Sequence, residues 1–364
     1  MATKSKKSSK SKTSSKKSKS TAATVLPLAA WSGTKMKTLL AAKDSLSKEL
    51  LKKSGVRRFS AMSAATSPAP SDNLVGVGIG EKIVDGRYTG VMCVKLLVRF
   101  KYGEDQLSAA NRLPKTVNGL PTDVEQVGTF RKFEAVPAAT GPNPRTRIRP
   151  APPGSSVGFR DPANSFRMAG TFGALVKRGT RRFILSNNHV LADENGLPLG
   201  SPIFQPGLLD DGNPNTDQVA QLSTFVQLQV TDPNVVDGAI AEVLNNVPVT
   251  NSILVIGPPQ GAAAAQQDMV VHKFGRTTGY TVGRITSINT DVVVDYELGA
   301  LEFNDQIIIV GLNNQPFSAA GDSGSLIVER NSSQAVGLLF AGSSSHTIAN
   351  HIEDVLTALN VTLA

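Results

Sequence analysis

Ser323 lies in the sequence Gly-Asp-Ser-Gly, directly before an apolar stretch. A serine hydroxyl attacks a carbonyl carbon efficiently only when a nearby base takes its proton and backbone N–H groups stabilise the negative oxygen that forms. Glycines allow the backbone turn that points such groups at one place, so we expect the N–H groups of Gly321 and Ser323 to form an oxyanion hole. The same four residues are also typical of a tight turn. Only a base and an acid elsewhere in the chain can favour the catalytic interpretation.

His189 is the best candidate for the base among the four histidines of the chain. It lies in "FILSNNHVLAD", where a predicted strand gives way to a turn. A strand end holds a base rigidly while allowing it to reach a cleft. The alternative interpretation is an exposed strand-end histidine without a function. The other three histidines are expected to be structural: His272, His346 and His351.

Asp237 is the candidate for the acid that orients the base. It directly precedes the apolar run "GAIAEVL", where a carboxylate is drawn towards the interior and must find a hydrogen-bond donor. The imidazole N–H of a catalytic histidine is such a donor. Asp232 is the competing candidate, but it precedes a proline and its context is typical of a turn.

The elements that would position these residues are predicted to be strands. From residue 166 onward, about a dozen short apolar runs alternate with Gly, Pro and Asn turns, which is typical of closed antiparallel sheets. Apolar residues between Ile348 and Leu359 recur at helical spacing and predict a C-terminal helix. Cys93 is the single cysteine, so the chain contains no internal disulfide.

The order His189, Asp237, Ser323, with separations of 48 and 86 residues, resembles that of the chymotrypsin-like (trypsin-like) serine peptidase family. "SNNHV", "DGAIAEV" and "AVGLLFAG" stand where that family has its histidine motif, its aspartate and the strand edge that pairs with the substrate backbone. The resemblance covers residues 166–364. It implies a double six-stranded antiparallel β-barrel followed by a C-terminal helix, with the site in the cleft between the barrels.

A closer resemblance involves "HKFGRTTGYTVGRI" and "FSAAGDSGSLIV". Both are similar to sequences of disulfide-free bacterial trypsin-like peptidases and of the plant Narrow Leaf type of serine peptidase. This resemblance implies a serine endopeptidase that cleaves protein or peptide substrates through an acyl-enzyme. It implies no cofactor and no metal.

The resemblance also implies a set of substrate-binding residues. Phe317, six residues before the serine, corresponds to the base of the first specificity pocket, and the strand edge comprises Phe340, Ala341 and Gly342. Because Phe317 carries no negative charge, we do not expect cleavage after Lys or Arg. The hydroxyl that often supports the aspartate in this family is missing, so Asp237 must use another donor.

The sequence divides into four segments. Residues 1–70 are predicted to be a disordered basic tail with a short amphipathic helix between Lys35 and Lys53, and residues 71–133 a small α+β module with the order ββαβ. In that module "EDQLSAANRL" is the expected helix. Residues 134–165 are rich in Pro and Arg and are predicted to be an exposed linker, while residues 166–364 form the peptidase domain.

The positive charge of the chain is concentrated at the N-terminus. Residues 1–60 carry 16 Lys and Arg against two acids, whereas residues 166–364 carry 9 against 18. The tail could therefore bind an anionic partner, either nucleic acid or the acidic catalytic module itself, or it could merely keep the protein in solution. Homo-oligomer formation stays open.

Two other functions remain open at this stage. One is a catalytically silent protease-like scaffold that the tail tethers to nucleic acid or an anionic surface. The other is a protease that processes itself in the tail or linker. No apolar run is long enough to span a membrane, and we expect a cytoplasmic location. The acidic cluster "LLDDGNPNTD" is interpreted as a loop, with Ca²⁺ binding as the alternative.

Overall fold

The computed structural model describes residues 33–51, 69–132, 142–163, 167–313 and 315–364. The Lys-rich part of the tail, which is predicted to bind an anionic partner, lies outside these residues. The helices and strands are α1 (Thr34–Leu50), β1 (Leu74–Val84), β2 (Arg87–Val98), β3 (Thr116–Val117), β4 (Leu120–Gln126), β5 (Ser156–Phe159), β6 (Gly170–Thr171), β7 (Ala174–Arg178), β8 (Arg181–Ser186), α2 (Asn188–Leu191), β9 (Pro202–Phe204), β10 (Gln218–Phe225), β11 (Ala239–Val243), β12 (Val270–Gly275), β13 (Gly279–Tyr296), β14 (Gly299–Gly311), β15 (Leu326–Glu329), β16 (Ala335–Gly342), β17 (His346–His351), α3 (Ile352–Ala358) and β18 (Thr362–Leu363).

Six strands close into a barrel in the C-terminal half of the chain. The order is β12-β15-β16-β17-β14-β13, and β13 pairs again with β12 to complete the ring. Apolar side chains that alternate along these strands fill the interior, among them Ile285, Ile307 and Leu339. The ring is the closed antiparallel sheet that the apolar runs predict.

The second sheet is an open half-barrel. Its eight strands follow the order β18-β7-β8-β11-β10-β9-β5-β6. Helix α3 packs where the two sheets meet, because Ile352 and Val355 share an apolar cluster with residues of β7 and β15. The mostly β, chymotrypsin-like architecture with a C-terminal helix is therefore confirmed, although only one of the two sheets closes into a six-stranded barrel.

Part of the predicted linker belongs to the half-barrel. Residues 151–159 are buried and include β5, whose Val157 and Phe159 lie in the core. The preceding segment is held by an ion pair between Arg147 and Asp217 at 2.8 Å. The prediction of an exposed linker is wrong for these residues, because Val157 and Phe159 bury their side chains in the core of the half-barrel.

The N-terminal module continues the barrel sheet. Strand β1 pairs antiparallel with β13, from Gly76 opposite Val292 to Gly80 opposite Ser287, and β2, β4 and β3 follow outward. A Cβ at Gly80 would lie 2.7 Å from the Thr286 carbonyl oxygen, so glycine allows the two strands to approach. The segment expected to form a helix, "EDQLSAANRL", instead forms two short 3₁₀ turns, Glu104–Gln106 and Ala109–Asn111.

Helix α1 covers one face of this module. Its apolar face buries Leu39, Ala42 and Leu46 against strands β1 and β2, which confirms the predicted amphipathic helix. The helix is also tied to the barrel, because the Lys43 ammonium donates to both carboxylate oxygens of Asp291 on β13, at 2.9 and 3.0 Å. In the described ranges, no helix is long and apolar enough to cross a membrane.

A buried charged network joins the module to the barrel. The Lys95 ammonium lies 2.8 Å from carboxylate oxygens of both Asp123 and Glu125. Glu125 also lies 3.1 Å from Nε2 of His346 on β17. Burial alone raises the pKa of Glu125, but the hydrogen bond with His346 and the charge of Lys95 outweigh it and hold the pKa at about 2, below the ordinary value of 4.5.

This network predicts a loss of stability in acid. A carboxylate whose pKa is lower in the folded protein stabilises the fold above pH 4.5, and this contribution disappears as the pH falls through about 2. The lowered pKa of Glu125 contributes about 3 kcal/mol to the free energy of unfolding at neutral pH. Urea unfolding of wild type and Glu125→Gln between pH 7 and 2 should give free-energy curves that converge in acid. Glu353→Gln, at an exposed position, is the control and should parallel wild type; a Glu125→Gln curve that also stays parallel would contradict the assignment.

Candidate active site

His189 lies in the short helix α2, immediately after β8 ends at Ser186. The motif around it anchors this turn to the segment before β11. The Asn187 side chain donates to the Asp237 carbonyl oxygen at 2.8 Å, and the Asn188 backbone N–H donates to Asp237 Oδ1 at 2.6 Å. The two residues directly before His189 are therefore both hydrogen bonded to Asp237.

Asp237 is fully buried and its carboxylate is saturated with donors. His189 Nδ1 lies 2.5 Å from Oδ2, and the hydroxyl of Tyr296 donates to the same oxygen at 2.7 Å. Burial and the neighbouring carboxylate raise the pKa of Tyr296 well above its ordinary value, so the phenol stays protonated and remains a donor. On β17, the Asn350 side-chain oxygen accepts the Asp237 backbone N–H at 3.1 Å.

Ser323 lies in a loop of two glycines with positive φ, Gly321 at +92° and Gly324 at +90°. A side chain at Gly321 would collide with Arg276 and Thr277, so this position requires glycine for space as well as conformation. Within the described part of the chain, the N–H groups of Gly321 and Ser323 make no hydrogen bond. These two donors are thus available to an oxygen placed beside Ser323.

The loop is built around Asp322, which is completely buried. Its carboxylate accepts the N–H groups of Thr277 at 2.8 Å and of Ala319 at 3.0 Å, as well as the Thr278 hydroxyl at 2.6 Å. The Lys273 ammonium lies 3.1 Å away. Burial lowers the pKa of Lys273 and the charge of Asp322 opposes that shift. The turn "GRTTG", residues 275–279, and the lysine before it therefore shape the serine loop.

The same turn also reaches the half-barrel. Arg276 forms a bidentate ion pair with Asp210, Nε to Oδ2 and Nη2 to Oδ1 both at 2.5 Å, with both side chains buried. Asp210 belongs to the acidic cluster for which Ca²⁺ binding was the alternative. Asp217 of that cluster pairs with Arg147. Among the residues described, no group of three or more His, Cys, Asp or Glu side chains could hold a metal ion.

Ser323 and His189 are not hydrogen bonded to each other. Ser323 Oγ donates instead to the Phe340 carbonyl oxygen at 3.2 Å. His189 Nε2 is buried and has no hydrogen-bond partner among the described residues. The rings of His189, Tyr296, Phe303 and Phe340 follow one another in contact, with centroids 5.9, 5.7 and 4.7 Å apart.

The residues expected to bind substrate fall in two places. Phe340 and Ala341 lie on β16 in the cluster that contains Tyr296, and Gly342 ends the strand. Phe317 is also buried, but it packs inside the barrel with Ile285 and Ile309. The structure therefore brings the strand edge to the serine and puts Phe317 in the hydrophobic core.

Tyr296 and Lys273 were not identified from the sequence. The missing hydroxyl beside Phe340 did indicate that Asp237 needs another donor, but Tyr296 follows the donor-poor run "DVVVD" at the end of a long strand. Lys273 lies two residues before "GRTTG", at a position that is fully buried. A lysine inside an apolar strand was the signal that could have been used.

A family model described as the Nal1 C-terminal domain matches residues 262–353. This range contains Ser323 and the 275–279 turn but not His189 or Asp237. Protein NARROW LEAF 1 of rice, Oryza sativa subsp. japonica, is 25% identical over 320 residues, which are 74% of this chain and 51% of that protein. The chain thus spans about half the length of this relative.

Several solved protease structures are similar to the chain. Thermobifida fusca protease A has a TM-score of 0.41 and 17% identity, with 58% of this chain and 97% of that chain covered. Nocardiopsis protease has a TM-score of 0.41 and 18% identity, with 57% of this chain and 95% of that chain covered. A glutamic acid specific serine protease has a TM-score of 0.42 and 18% identity, with 58% of this chain and 100% of that chain covered. These similarities are coarse, and the chymotrypsin-like fold rests on the strand order of the two sheets.

The ion pair between Lys273 and Asp322 predicts a large effect of removing one partner. Lys273→Met leaves a buried carboxylate without its cation, and the free energy of unfolding should fall by about 3–5 kcal/mol. Lys177→Met, at an exposed position, is the matched control and should change stability by less than about 0.5 kcal/mol. Adding Asp322→Asn to Lys273→Met should recover part of the loss. Equal unfolding curves for Lys273→Met and Lys177→Met would contradict this role.

Proposed function

We propose that the chain is a serine endopeptidase, with Ser323 as nucleophile, His189 as general base and Asp237 as the residue that orients the base. The observation that carries the proposal is the contact between His189 Nδ1 and the buried carboxylate of Asp237 at 2.5 Å. Because Nδ1 is engaged, Nε2 is the ring atom left for a general base, and it has no hydrogen-bond partner among the described residues. Nε2 of His272 and of His351 also has none, so the contact with Asp237 is what distinguishes His189.

The chemistry follows from this arrangement. When the carbonyl of a peptide bond enters the serine loop, Ser323 Oγ turns from the Phe340 carbonyl to His189 Nε2 and transfers its proton there while Oγ bonds to the carbonyl carbon. The carbonyl oxygen becomes negative and accepts the N–H groups of Gly321 and Ser323. His189 then protonates the leaving amine as the C–N bond breaks, and water releases the acyl group by the same route.

The proposed substrates are proteins or peptides. We still expect a neutral residue before the cleaved bond, because position 317 holds a phenylalanine and not an acidic residue. Because Phe317 packs in the barrel core, the side chains that select the substrate at that position are to be sought elsewhere in the loop. No cofactor enters the proposed reaction.

Labelling by a fluorophosphonate tests the nucleophile. This probe forms a covalent bond with an activated serine, so wild type should be labelled and Ser323→Ala and His189→Ala should not. Ser325→Ala is the matched control, since this buried serine of the same loop donates to the Asp322 carbonyl oxygen and should retain labelling. A folded Ser323→Ala protein that is still labelled would contradict the proposal, and a wild-type protein that is not labelled would favour a silent scaffold.

Tyr296→Phe tests the support of Asp237. The ring packing is kept, but a hydrogen bond to a charged group is lost, which is worth about 1.5–3 kcal/mol. We expect kcat to fall by about tenfold or more with KM unchanged, because Tyr296 acts on the orientation of His189 and not on substrate binding. The downfield proton resonance of His189 Nδ1 should also shift. Tyr280→Phe, which removes a hydroxyl beside His272, is the control; an effect on KM alone would contradict the role of Tyr296.

A further inference from the structure

The end of strand β16 carries a short piece of the N-terminal module. Residues 127–132, which we call the edge segment, follow β4 and run beside Gly342. The Arg131 N–H donates to the Gly342 carbonyl at 3.0 Å, and the Gly342 N–H donates to the Arg131 carbonyl at 3.2 Å. Arg131 and Gly342 therefore form a complete antiparallel hydrogen-bonded pair.

This part of β16 is the edge that passes the nucleophile. Strand β15 pairs with β16 only as far as Leu338, and Ser323 Oγ contacts the carbonyl of Phe340, two residues before Gly342. Backbone groups of residues i and i+2 point to the same side of a strand, so the Phe340 carbonyl that Ser323 contacts and the backbone groups of Gly342 point to the same edge. An extended peptide that adds a strand there would have its backbone aligned with the serine.

The edge segment takes the same path as such a peptide. Its pairing with β16 is antiparallel, so the chain passes Gly342 in the direction that leads towards Phe340 and Ser323. On its other side it pairs with the end of β13, where the Asp295 N–H donates to the Phe130 carbonyl at 3.1 Å and the Lys132 N–H donates to the Asp295 carbonyl at 3.4 Å. The open edge of β16 is thus occupied.

The side chains of the edge segment meet three different environments. Phe130 is completely buried with Tyr296 and Phe340. The Arg131 side chain is 59% exposed. The Lys132 ammonium lies 2.6 Å from Glu194 and 3.0 Å from Glu297, and Glu194 follows His189 by five residues.

Lys132 therefore connects the two halves of the site. Glu194 belongs to the loop after α2 in the half-barrel, whereas Glu297 lies between β13 and β14 of the barrel. The side chain of Glu194 is only 5% exposed, and its carboxylate also accepts hydrogen bonds from the N–H groups of Glu297 and Leu298. Burial alone lowers the pKa of Lys132, but the two carboxylates outweigh it and raise the pKa, so the ammonium remains charged.

We propose that the edge segment is an internal mimic of the substrate, and that a peptide binds to the protease by displacing it and reusing its contacts. The proposal rests on the proposed function and specifies its substrate class. The preferred peptide carries a large apolar residue where Phe130 lies and a lysine two positions later, where Glu194 and Glu297 receive it. The residue between them faces solvent and is not selected.

Occupation of the edge implies a measurable competition. A peptide reaches the strand edge only in the fraction of molecules in which the edge segment has left, so its apparent affinity is reduced by that fraction. A small reagent that reacts with Ser323 without pairing with β16 is not subject to this competition. The ratio between the reaction rates of a peptide reagent and a small reagent therefore reports the occupation of the edge.

Two substitutions at one position separate the backbone from the side chain. Arg131→Pro removes the N–H that donates to Gly342, whereas Arg131→Ala keeps it and removes the exposed guanidinium with its 3.9 Å contact to Asp295. The peptide reagent is the diphenyl phosphonate ester of acetyl-Phe-Arg-Lys-Phe, and the small reagent is an alkyl fluorophosphonate. Loss of one backbone hydrogen bond should raise the rate ratio by about fivefold in Arg131→Pro, and Arg131→Ala should stay within about twofold of wild type. Phe130→Ala, which loosens the anchor of the same segment, should also raise the ratio.

The outcomes distinguish the inference from the function on which it rests. An unchanged ratio in a labelled Arg131→Pro protein, or a parallel fall of both rates, means that the edge segment is a structural strand and overturns the inference while the peptidase function stands. Failure of both reagents to label Ser323 in all variants overturns the function and the inference together.

The lysine contact has its own test in the Arg131→Pro protein. Replacing Lys by norleucine in the peptide reagent should lower its rate by about fivefold or more, as expected when a partly buried ion pair is lost. In Arg131→Pro with Glu194→Gln, the two peptide reagents should become nearly equal. Equal rates already in the presence of Glu194 would overturn the proposed selection of lysine.

Discussion

The arrangement of the site depends on the burial of a single negative charge, that of Asp237. A carboxylate removed from water is tolerated only when donors surround it, and here the donors come from both sheets. His189 and Asn188 belong to the turn after β8, while Tyr296 ends β13 of the barrel. The need to satisfy this one group therefore brings the half-barrel, the barrel and the imidazole into a fixed relation.

The same constraint applies to Asp322, the buried residue directly before Ser323. Its partners come from the turn between β12 and β13, and Lys273 supplies the compensating charge from within the strand. Since Lys273 is part of the chain before any processing, the serine loop has its cation from the moment of folding.

The residues of the candidate site could be proposed from the sequence because their signals are local. Gly-Asp-Ser-Gly, the strand-end His189 and the aspartate before an apolar run can each be recognised within a few residues, and the apolar runs predicted the sheets. Tyr296 and Lys273 act through contacts with distant segments, which local patterns do not contain. The pairing of β1 with β13 could not be predicted for the same reason, since an exposed strand edge does not specify its partner. In residues 151–159 the proline-rich composition concealed buried apolar positions.

Strand β13 contacts several parts of the structure. Along its 18 residues it pairs with β12, β14 and β1, bears Asp291 for Lys43, and ends in Tyr296 at the carboxylate of Asp237. Because side chains alternate between the two faces of a strand, inserting or deleting one residue would exchange those faces for everything beyond it. Such a change would move the phenol of Tyr296 away from Asp237 and disrupt the contacts of the N-terminal module at once. The length of this strand should therefore be held constant during evolution even where its individual residues are free to vary.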